Sequence, residues 1–173
     1  MRVLISFSVK NYKSFKNECT LEMSPGSSRS KNDHIRKDSL KVAAIYGPNA
    51  SGKSNLIQAM GIMKKIVTSH YAYGKKPLYN WNSKKKITSF SIEFSKNTTL
   101  YRYEIDVESV KSYDSRPSKV MYLYSVRKEA LFISDLNCIS RDGNVPEREI
   151  FNRKLPKNKS ELQILKELSE YTR

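Results

Sequence analysis

Residues 47–55, GPNASGKSN, combine residue types that can hold a phosphate group. Gly47, Gly52, Lys53 and Ser54 satisfy the pattern G-x-x-x-x-G-K-[ST]. The glycines allow the loop to curl, so that successive backbone N–H groups face a bound anion. The Lys53 amine can then reach the β- and γ-phosphates, and the Ser54 hydroxyl can bind Mg²⁺. The predicted contacts to a nucleoside triphosphate are Gly47, Pro48, Asn49, Ala50, Ser51, Gly52, Lys53, Ser54 and Asn55.

The segments on either side of this loop predict the elements that would position it. Residues 41–46, KVAAIY, form a short apolar run that is typical of a buried central strand. Residues 53–69, KSNLIQAMGIMKKIVTS, place Leu56, Met60 and Met63 at helical spacing and predict an amphipathic helix of about four turns. Because this helix begins inside the motif, the positive end of its dipole would add to the phosphate site.

The rest of the chain alternates between strand-like and polar segments. Residues 24–39 and most of 69–86 are polar and predict loops. Residues 158–171 predict a helix, with Ser160 as its N-cap. Alternation of apolar and polar residues predicts strands at 2–9 and 19–23, a hairpin from 89–95 and 99–107, and a second hairpin from 119–126 and 129–134.

The charge of the chain is large and uneven. Its net charge is +15, and residues 1–86 contain 17 Lys and Arg against 4 Asp and Glu. A basic N-terminal half suits a polyanionic partner, although a lysine-rich surface without a partner would have the same composition. Cys19 and Cys138 have no metal-binding spacing, and no secretory signal or membrane-spanning stretch is visible. We therefore expect a reduced, cytoplasmic protein that is not in the membrane.

Two stretches together carry a family resemblance: GPNASGKSNLIQAM and, some 30 residues earlier, SFSVKNYKSF. They resemble the head domains of ABC-type ATPases of the RecF, SMC and Rad50 kind. Within these, the sequence is most similar to the AAA15/AAA21 group of bacterial ATPases related to the OLD (overcoming lysogenisation defect) proteins, many of which act in phage defence. The resemblance is specific in residues 5–60 and covers most of the chain.

The resemblance implies an α/β fold of the P-loop NTPase class, with a mixed sheet and an antiparallel β subdomain at residues 88–134. Residues 1–70 would supply the strands, the P-loop and its helix. In such proteins the turn that matches residues 11–15 approaches the nucleotide with a basic residue and a serine. This implies Lys13 and Ser14 as secondary contacts, although a surface turn would use the same residues. Ala50 stands where many relatives have glycine.

Hydrolysis requires further groups that residues 1–173 do not supply. A Walker B segment has four apolar residues before an Asp, but in residues 130–135, ALFISD, Ser134 interrupts the apolar run. In the resembling proteins these groups lie in a later C-terminal lobe. We therefore expect residues 1–173 to be the N-terminal portion of one ATPase head. The isolated chain would bind ATP weakly without turning it over.

The resemblance also implies partners, and alternatives stay open. ABC-type heads form homodimers around ATP, and many control a nuclease or toxin effector. A nucleic-acid-binding module that uses the basic N-terminal half to bind DNA is the main alternative function. A small P-loop kinase fits less well, because such enzymes need lid arginines that the β-rich second half does not suggest.

Overall fold

The computed structural model describes residues 2–25, 35–36, 39–69, 72–96, 99–113, 120–135 and 148–153. Within these ranges the chain forms strands and one helix. In chain order they are β1 (Arg2–Lys10), β2 (Cys19–Glu22), β3 (Ile35–Arg36), β4 (Ser39–Leu40), α1 (Lys53–Ser69), β5 (Ala72–Gly74), β6 (Ile87–Lys96), β7 (Thr99–Tyr113), β8 (Val120–Asp135) and β9 (Arg148–Arg153).

One large sheet organises the described part of the chain. Its strand order is β2-β1-β6-β7-β8, and β5 and β9 pair with different stretches of the far side of β8. Every pairing among these strands is antiparallel. Among the described residues, the two-residue strands β3 and β4 form a separate pair. Because β1 pairs with β6, the N-terminal hairpin and the long β6–β8 meander belong to one sheet.

The core lies between one face of this sheet and α1. The register places Phe7 opposite Ile92, and Ile92 opposite Tyr103, so apolar side chains from three strands meet on the same face. The helix contributes a stripe at helical spacing to this face. The buried members include Phe7, Val9, Phe90, Ile105 and Val107 from the strands and Leu56, Ala59, Met63 and Ile66 from α1.

The opposite face of the sheet is polar. Ser6, Ser8 and Ser91 lie across a groove of about 400 Å³ from charged side chains of β6 and β7. Arg102 forms ion pairs with Glu93 and with Glu104 on this face. The sheet therefore has one apolar and one polar face, as the alternation in the sequence predicts.

Several predicted elements are confirmed. The strand predicted at 2–9 is β1, the one at 19–23 is β2, and the hairpin of 89–95 with 99–107 is β6 with β7. The helix predicted from Lys53 is α1, and Leu56 and Met63 lie on its buried face. The antiparallel β-rich region predicted at 88–134 is formed by β6, β7 and β8. The helix predicted at 158–171 lies outside the described residues.

The predicted central strand at residues 41–46 is wrong. These residues have no strand structure, and Val42 and Tyr46 are 73% and 90% exposed. A buried strand needs neighbours on both sides, and no described strand lies alongside this segment. The mixed sheet that the resemblance implied would have required this segment to pair as a parallel strand. Because it does not pair with a described strand, all pairings in the described sheet are antiparallel.

The predicted second hairpin, 119–126 with 129–134, is also wrong. Both runs belong to the continuous strand β8, which pairs along the whole length of β7. At the expected turn the register shifts, because Asp106 pairs with Lys128 while Val107 pairs with Val126. Arg127 is therefore a bulged residue, and its side chain reaches Glu108 on β7. Residues 127–128, which separate the two predicted strands in the sequence, therefore form a β-bulge instead of a turn.

The tight turn of residues 11–15 follows β1 and is held by buried side-chain hydrogen bonds. Asn11, only 8% exposed, has a left-handed backbone with φ of 54°. Its side-chain amide donates to the carbonyl oxygens of Lys85 at 2.9 Å and Ile87 at 2.7 Å. Its side-chain oxygen accepts from the backbone N–H of Asn80 at 3.2 Å. One asparagine thus joins the turn to the segment that leads into β6.

We predict that Asn11→Ala destabilises the fold by about 3 kcal/mol. The substitution removes three hydrogen bonds from buried or half-buried backbone groups, each contributing on the order of 1 kcal/mol, and places alanine in the left-handed region. Urea unfolding measures the change. Asn82→Ala is the matched control, because Asn82 is exposed and should change stability by under about 0.5 kcal/mol. Equal effects of the two variants would contradict the prediction.

Candidate nucleotide-binding site

The loop of residues 47–52 adopts the curled backbone that its glycines predict. Gly52 has a φ of 97° and Gly47 a φ of 156°. Ala50 also lies in the left-handed region, with a φ of 63°. An L-residue with a β-carbon is disfavoured there by roughly 1–2 kcal/mol, which explains physically why glycine suits this position. The loop leads directly into the first turn of α1 at Lys53.

The turn of residues 11–15 packs against this loop at Gly52. A β-carbon added at Gly52 would lie 2.8 Å from Cε1 of Phe15 and 3.2 Å from the hydroxyl oxygen of Ser14. Gly52 is therefore required for two reasons, its backbone conformation and the close approach of the Phe15 ring. The loop and the turn, which are 32 or more residues apart in sequence, form one packed unit.

The Lys53 side chain bends back over the loop. Its amine donates to the carbonyl oxygens of Gly47 at 2.6 Å and Pro48 at 2.7 Å. It also lies 3.3 Å from the hydroxyl oxygen of Ser51. These neutral acceptors hold the amine at the centre of the curled loop, close to the backbone that would surround a phosphate.

Polar contacts join the turn to the first two turns of α1. The side-chain amide of Asn55 donates to the Ser14 hydroxyl at 2.8 Å, and the Lys13 amine donates to the side-chain oxygen of Gln58. Burial, and then the positive charge of Lys76, lowers the pKa of Lys13. The structure thus brings Lys13 and Ser14 beside the P-loop helix. Their role as nucleotide contacts stays a prediction.

The residues of this site fit a triphosphate with Mg²⁺ by their chemistry. The first backbone N–H groups of α1 have no acceptor within the helix, and they point toward the loop with the positive end of the helix dipole. Lys53 adds a full positive charge. Ser54 is exposed at the second position of α1, so its hydroxyl is open to a ligand. Ser54 would be a protein ligand to the metal, with phosphate oxygens and water completing the coordination.

A cavity of about 500 Å³ extends from the turn along α1. Gln58, Gly61 and Ile62 of the helix form one wall, and Tyr12 and Lys13 form another. Lys76, Leu78 and Tyr124 close the far side. Lys13 and Gln58, which contact each other, both line the cavity, and it lies beside the middle of α1.

Sequence reasoning missed three residues that shape the site. Phe15 packs on Gly52, and Gln58 accepts a hydrogen bond from Lys13. Tyr12, a residue of the turn, is completely buried. The spacing of Asn55, Gln58 and Ile62 places them on one helix face, and this was the available signal. The sequence could not show that this face meets the turn, because the contact spans more than 40 residues.

Comparison with known proteins places most of the chain in one family. The family model described as "AAA domain, putative AbiEii toxin, Type IV TA system" matches residues 42–165. No curated protein matches the sequence. Among the residues that the structure describes, no helix combines the length and apolar character needed to cross a membrane.

We predict that Gly52→Ala destabilises the protein by about 2 kcal/mol or more. The new β-carbon would clash with the Phe15 ring, and the alanine would have to keep a backbone conformation that is strained for any residue with a β-carbon. Gly61→Ala, in the middle of α1, is the matched control, because nothing lies within 4 Å of its added β-carbon. That control should stabilise the protein by about 1 kcal/mol through helix propensity. Chemical unfolding of both variants checks the prediction, and a neutral Gly52→Ala would refute it.

A second prediction concerns stability at alkaline pH. Burial, with a smaller contribution from Tyr124, raises the pKa of Tyr12 to about 12 from its ordinary 10.0. The unfolded chain therefore loses this proton first, so the free energy of unfolding falls as pH rises from 10 to 12, by on the order of 2 kcal/mol. Below pH 10 Tyr12 is protonated in both the folded and the unfolded chain, so it causes no loss of stability there.

Tyr12→Phe should remove this alkaline loss. The buried Tyr12 hydroxyl has no hydrogen-bond partner among the described residues, so its removal should not destabilise the protein at pH 8. Urea unfolding of wild type and variant at pH 8 and pH 11 measures both effects. A stability difference between the two proteins that is the same at both pH values would contradict the assignment.

Proposed function

We propose that this chain, which belongs to the AAA-domain family that matches residues 42–165, binds ATP with Mg²⁺ through residues 47–55. The observation that carries the proposal is the position of the Lys53 amine inside the curled loop at the start of α1. In this proposal the backbone N–H groups of Gly47, Asn49, Ala50, Ser51 and Gly52 face the phosphates, and Pro48, which has no N–H, contributes to the shape of the loop.

The Lys53 amine can exchange its present partners for phosphate oxygens. It now donates to two neutral carbonyl oxygens of the loop, at Gly47 and Pro48. Hydrogen bonds from a charged donor to a charged acceptor are about twice as strong as neutral ones. The exchange therefore favours the bound state, and the released carbonyl oxygens can accept from water because Gly47 and Pro48 are exposed.

The turn of residues 11–15 and the neighbouring cavity suit the rest of the nucleotide. Ser54 and Gly61 are seven residues apart on α1, which corresponds to about 10 Å along the helix. A nucleotide with its phosphates at Ser54 extends over a similar distance to its base. Lys13 and Ser14 lie between these two points, beside Gln58 and Asn55. We propose them as contacts to the phosphates and ribose.

The wider function that we propose is control of an effector by an ABC-type ATPase head. The family's description, which names a toxin of a toxin–antitoxin system, supports a role in phage defence. In this proposal two copies meet around ATP, a nuclease or toxin is the effector, and the place of action is the cytoplasm. The resemblance to OLD-like proteins, carried by residues 6–15 and 47–60, supports the same assignment.

We predict that Lys53→Ala weakens binding of ATP with Mg²⁺ by tenfold or more, because a charge-assisted contact of about 1.5–3 kcal/mol is lost. Isothermal titration calorimetry measures the affinity. Lys65→Ala is the matched control, since it removes the same charge from an exposed position of the same helix and should leave binding within about twofold.

Ser54→Ala tests the proposed metal contact. This variant should bind ATP without Mg²⁺ as wild type does, and it should lose most of the gain in affinity that Mg²⁺ provides.

Unchanged binding in Lys53→Ala would refute the site. Robust ATP hydrolysis by the purified chain that Lys53→Ala abolishes would refute the expectation that these residues bind ATP without turning it over.

A further inference from the structure

We propose that residues 75–86, KKPLYNWNSKKK, form a binding surface for single-stranded nucleic acid, with Trp81 stacking on a base and the lysines contacting phosphates. We call this segment the Lys–Trp loop. It connects β5 to β6. The proposal does not depend on nucleotide binding, because Trp81 and the lysines at 84–86 lie neither in residues 47–55 nor in the lining of the cavity beside α1, which the loop reaches only with residues 75–78.

The charge of the Lys–Trp loop points to a polyanion. Twelve consecutive residues contain five lysines and no acidic residue, and all five lysines are exposed. None of them forms an ion pair with another residue in the described part of the chain. Glu108, opposite Ile87 in the neighbouring strand, already pairs with Arg127. The lysine charges are therefore available to phosphates.

The position of Trp81 points to bases. Trp81 is 79% exposed, although tryptophan is the largest apolar side chain and is highly buried on average. It lies between the two lysine groups, five residues after Lys76 and three before Lys84. An aromatic face between positive charges is the arrangement that binds unpaired bases and the phosphates beside them.

Buried side chains hold the Lys–Trp loop in one conformation. Asn80, only 5% exposed, donates from its side-chain amide to the carbonyl oxygen of Lys13, and its side-chain oxygen accepts from the Asn82 N–H at 3.0 Å. The Ser83 N–H donates to the Asn80 carbonyl oxygen at 2.9 Å. The Asn11 amide donates to the carbonyl oxygen of Lys85. Trp81 is thus presented by an ordered backbone, so binding costs little ordering entropy.

The loop fits a single strand better than the other polyanions. In a duplex the faces of the bases are covered by their neighbours, so Trp81 would have no base to stack on. A membrane surface would require a continuous apolar face, whereas the other exposed residues of the loop are Asn82 and the five lysines. The loop has no arginine for bidentate reading of base edges, so we expect tolerance of sequence.

Fluorescence tests the proposal directly, because Trp81 is the only tryptophan in the chain. Titration of the purified 173-residue protein with a single-stranded oligonucleotide of about 12 nucleotides should quench its emission. Anisotropy of a labelled oligonucleotide should show that Trp81→Ala weakens binding about tenfold and that Trp81→Phe largely preserves it. Melting temperatures of these variants should match wild type, because Trp81 is exposed.

A matched pair of lysine variants tests the electrostatic part. Lys84→Gln with Lys85→Gln should reduce the slope of log affinity against log salt by about 1.4, from two lost phosphate contacts. Lys64→Gln with Lys65→Gln changes the net charge equally at exposed positions of α1, and should leave the slope unchanged. Equal losses in the two double variants would mean diffuse attraction and would overturn the proposal.

Two further results would also overturn it. Polyglutamate that quenches Trp81 as strongly as the oligonucleotide would make an acidic protein the partner. A duplex of the same sequence that binds as tightly as the single strand, with no effect of Trp81→Ala, would exclude base stacking. Loss of ATP binding in Lys53→Ala leaves the expected oligonucleotide results unchanged, so the two proposals can fail separately.

Discussion

The packing of the turn of residues 11–15 against Gly52 is the contact on which the described structure depends. Phe15 occupies the space that a side chain at residue 52 would need, and Ser14 bonds to Asn55 one turn into α1. On its other side, Asn11 bonds to the segment that begins β6. The turn thus fixes the P-loop helix relative to the sheet through specific polar contacts as well as through the apolar core.

The same turn positions both surfaces to which we assign ligands. Lys13 illustrates this, because its amine reaches Gln58 on α1 while its carbonyl oxygen accepts from Asn80, next to Trp81. Its backbone φ of 44° lies in the left-handed region, which the surrounding contacts must maintain. A displacement of this residue would therefore move one contact of each surface. The P-loop helix and the Lys–Trp loop are therefore both in contact with the same turn, through Lys13.

The sequence predicts best where local pattern and burial agree. The phosphate motif, α1, β1 and the β6–β7 hairpin were predictable because each has a clear spacing of apolar residues or a defined set of types. The segment 41–46 was predicted as a strand because it is apolar, but pairing depends on neighbours that composition does not reveal. Residues 127–128 resemble a turn, yet the ladder along β7 continues past them, and the extra residue becomes a bulge.

Lys53 has a second role in this structure, which follows from the segment before the loop. No described strand pairs with residues 41–46, and the Lys53 amine holds the loop from the helix through its hydrogen bonds to Gly47 and Pro48. Lys53 is therefore both the residue that tethers the loop to the helix and the group that would bind phosphate. Its truncation removes both contributions at once. The affinity lost in Lys53→Ala measures the cost of truncation, which is larger than the strength of the phosphate contact alone whenever the loop also loosens.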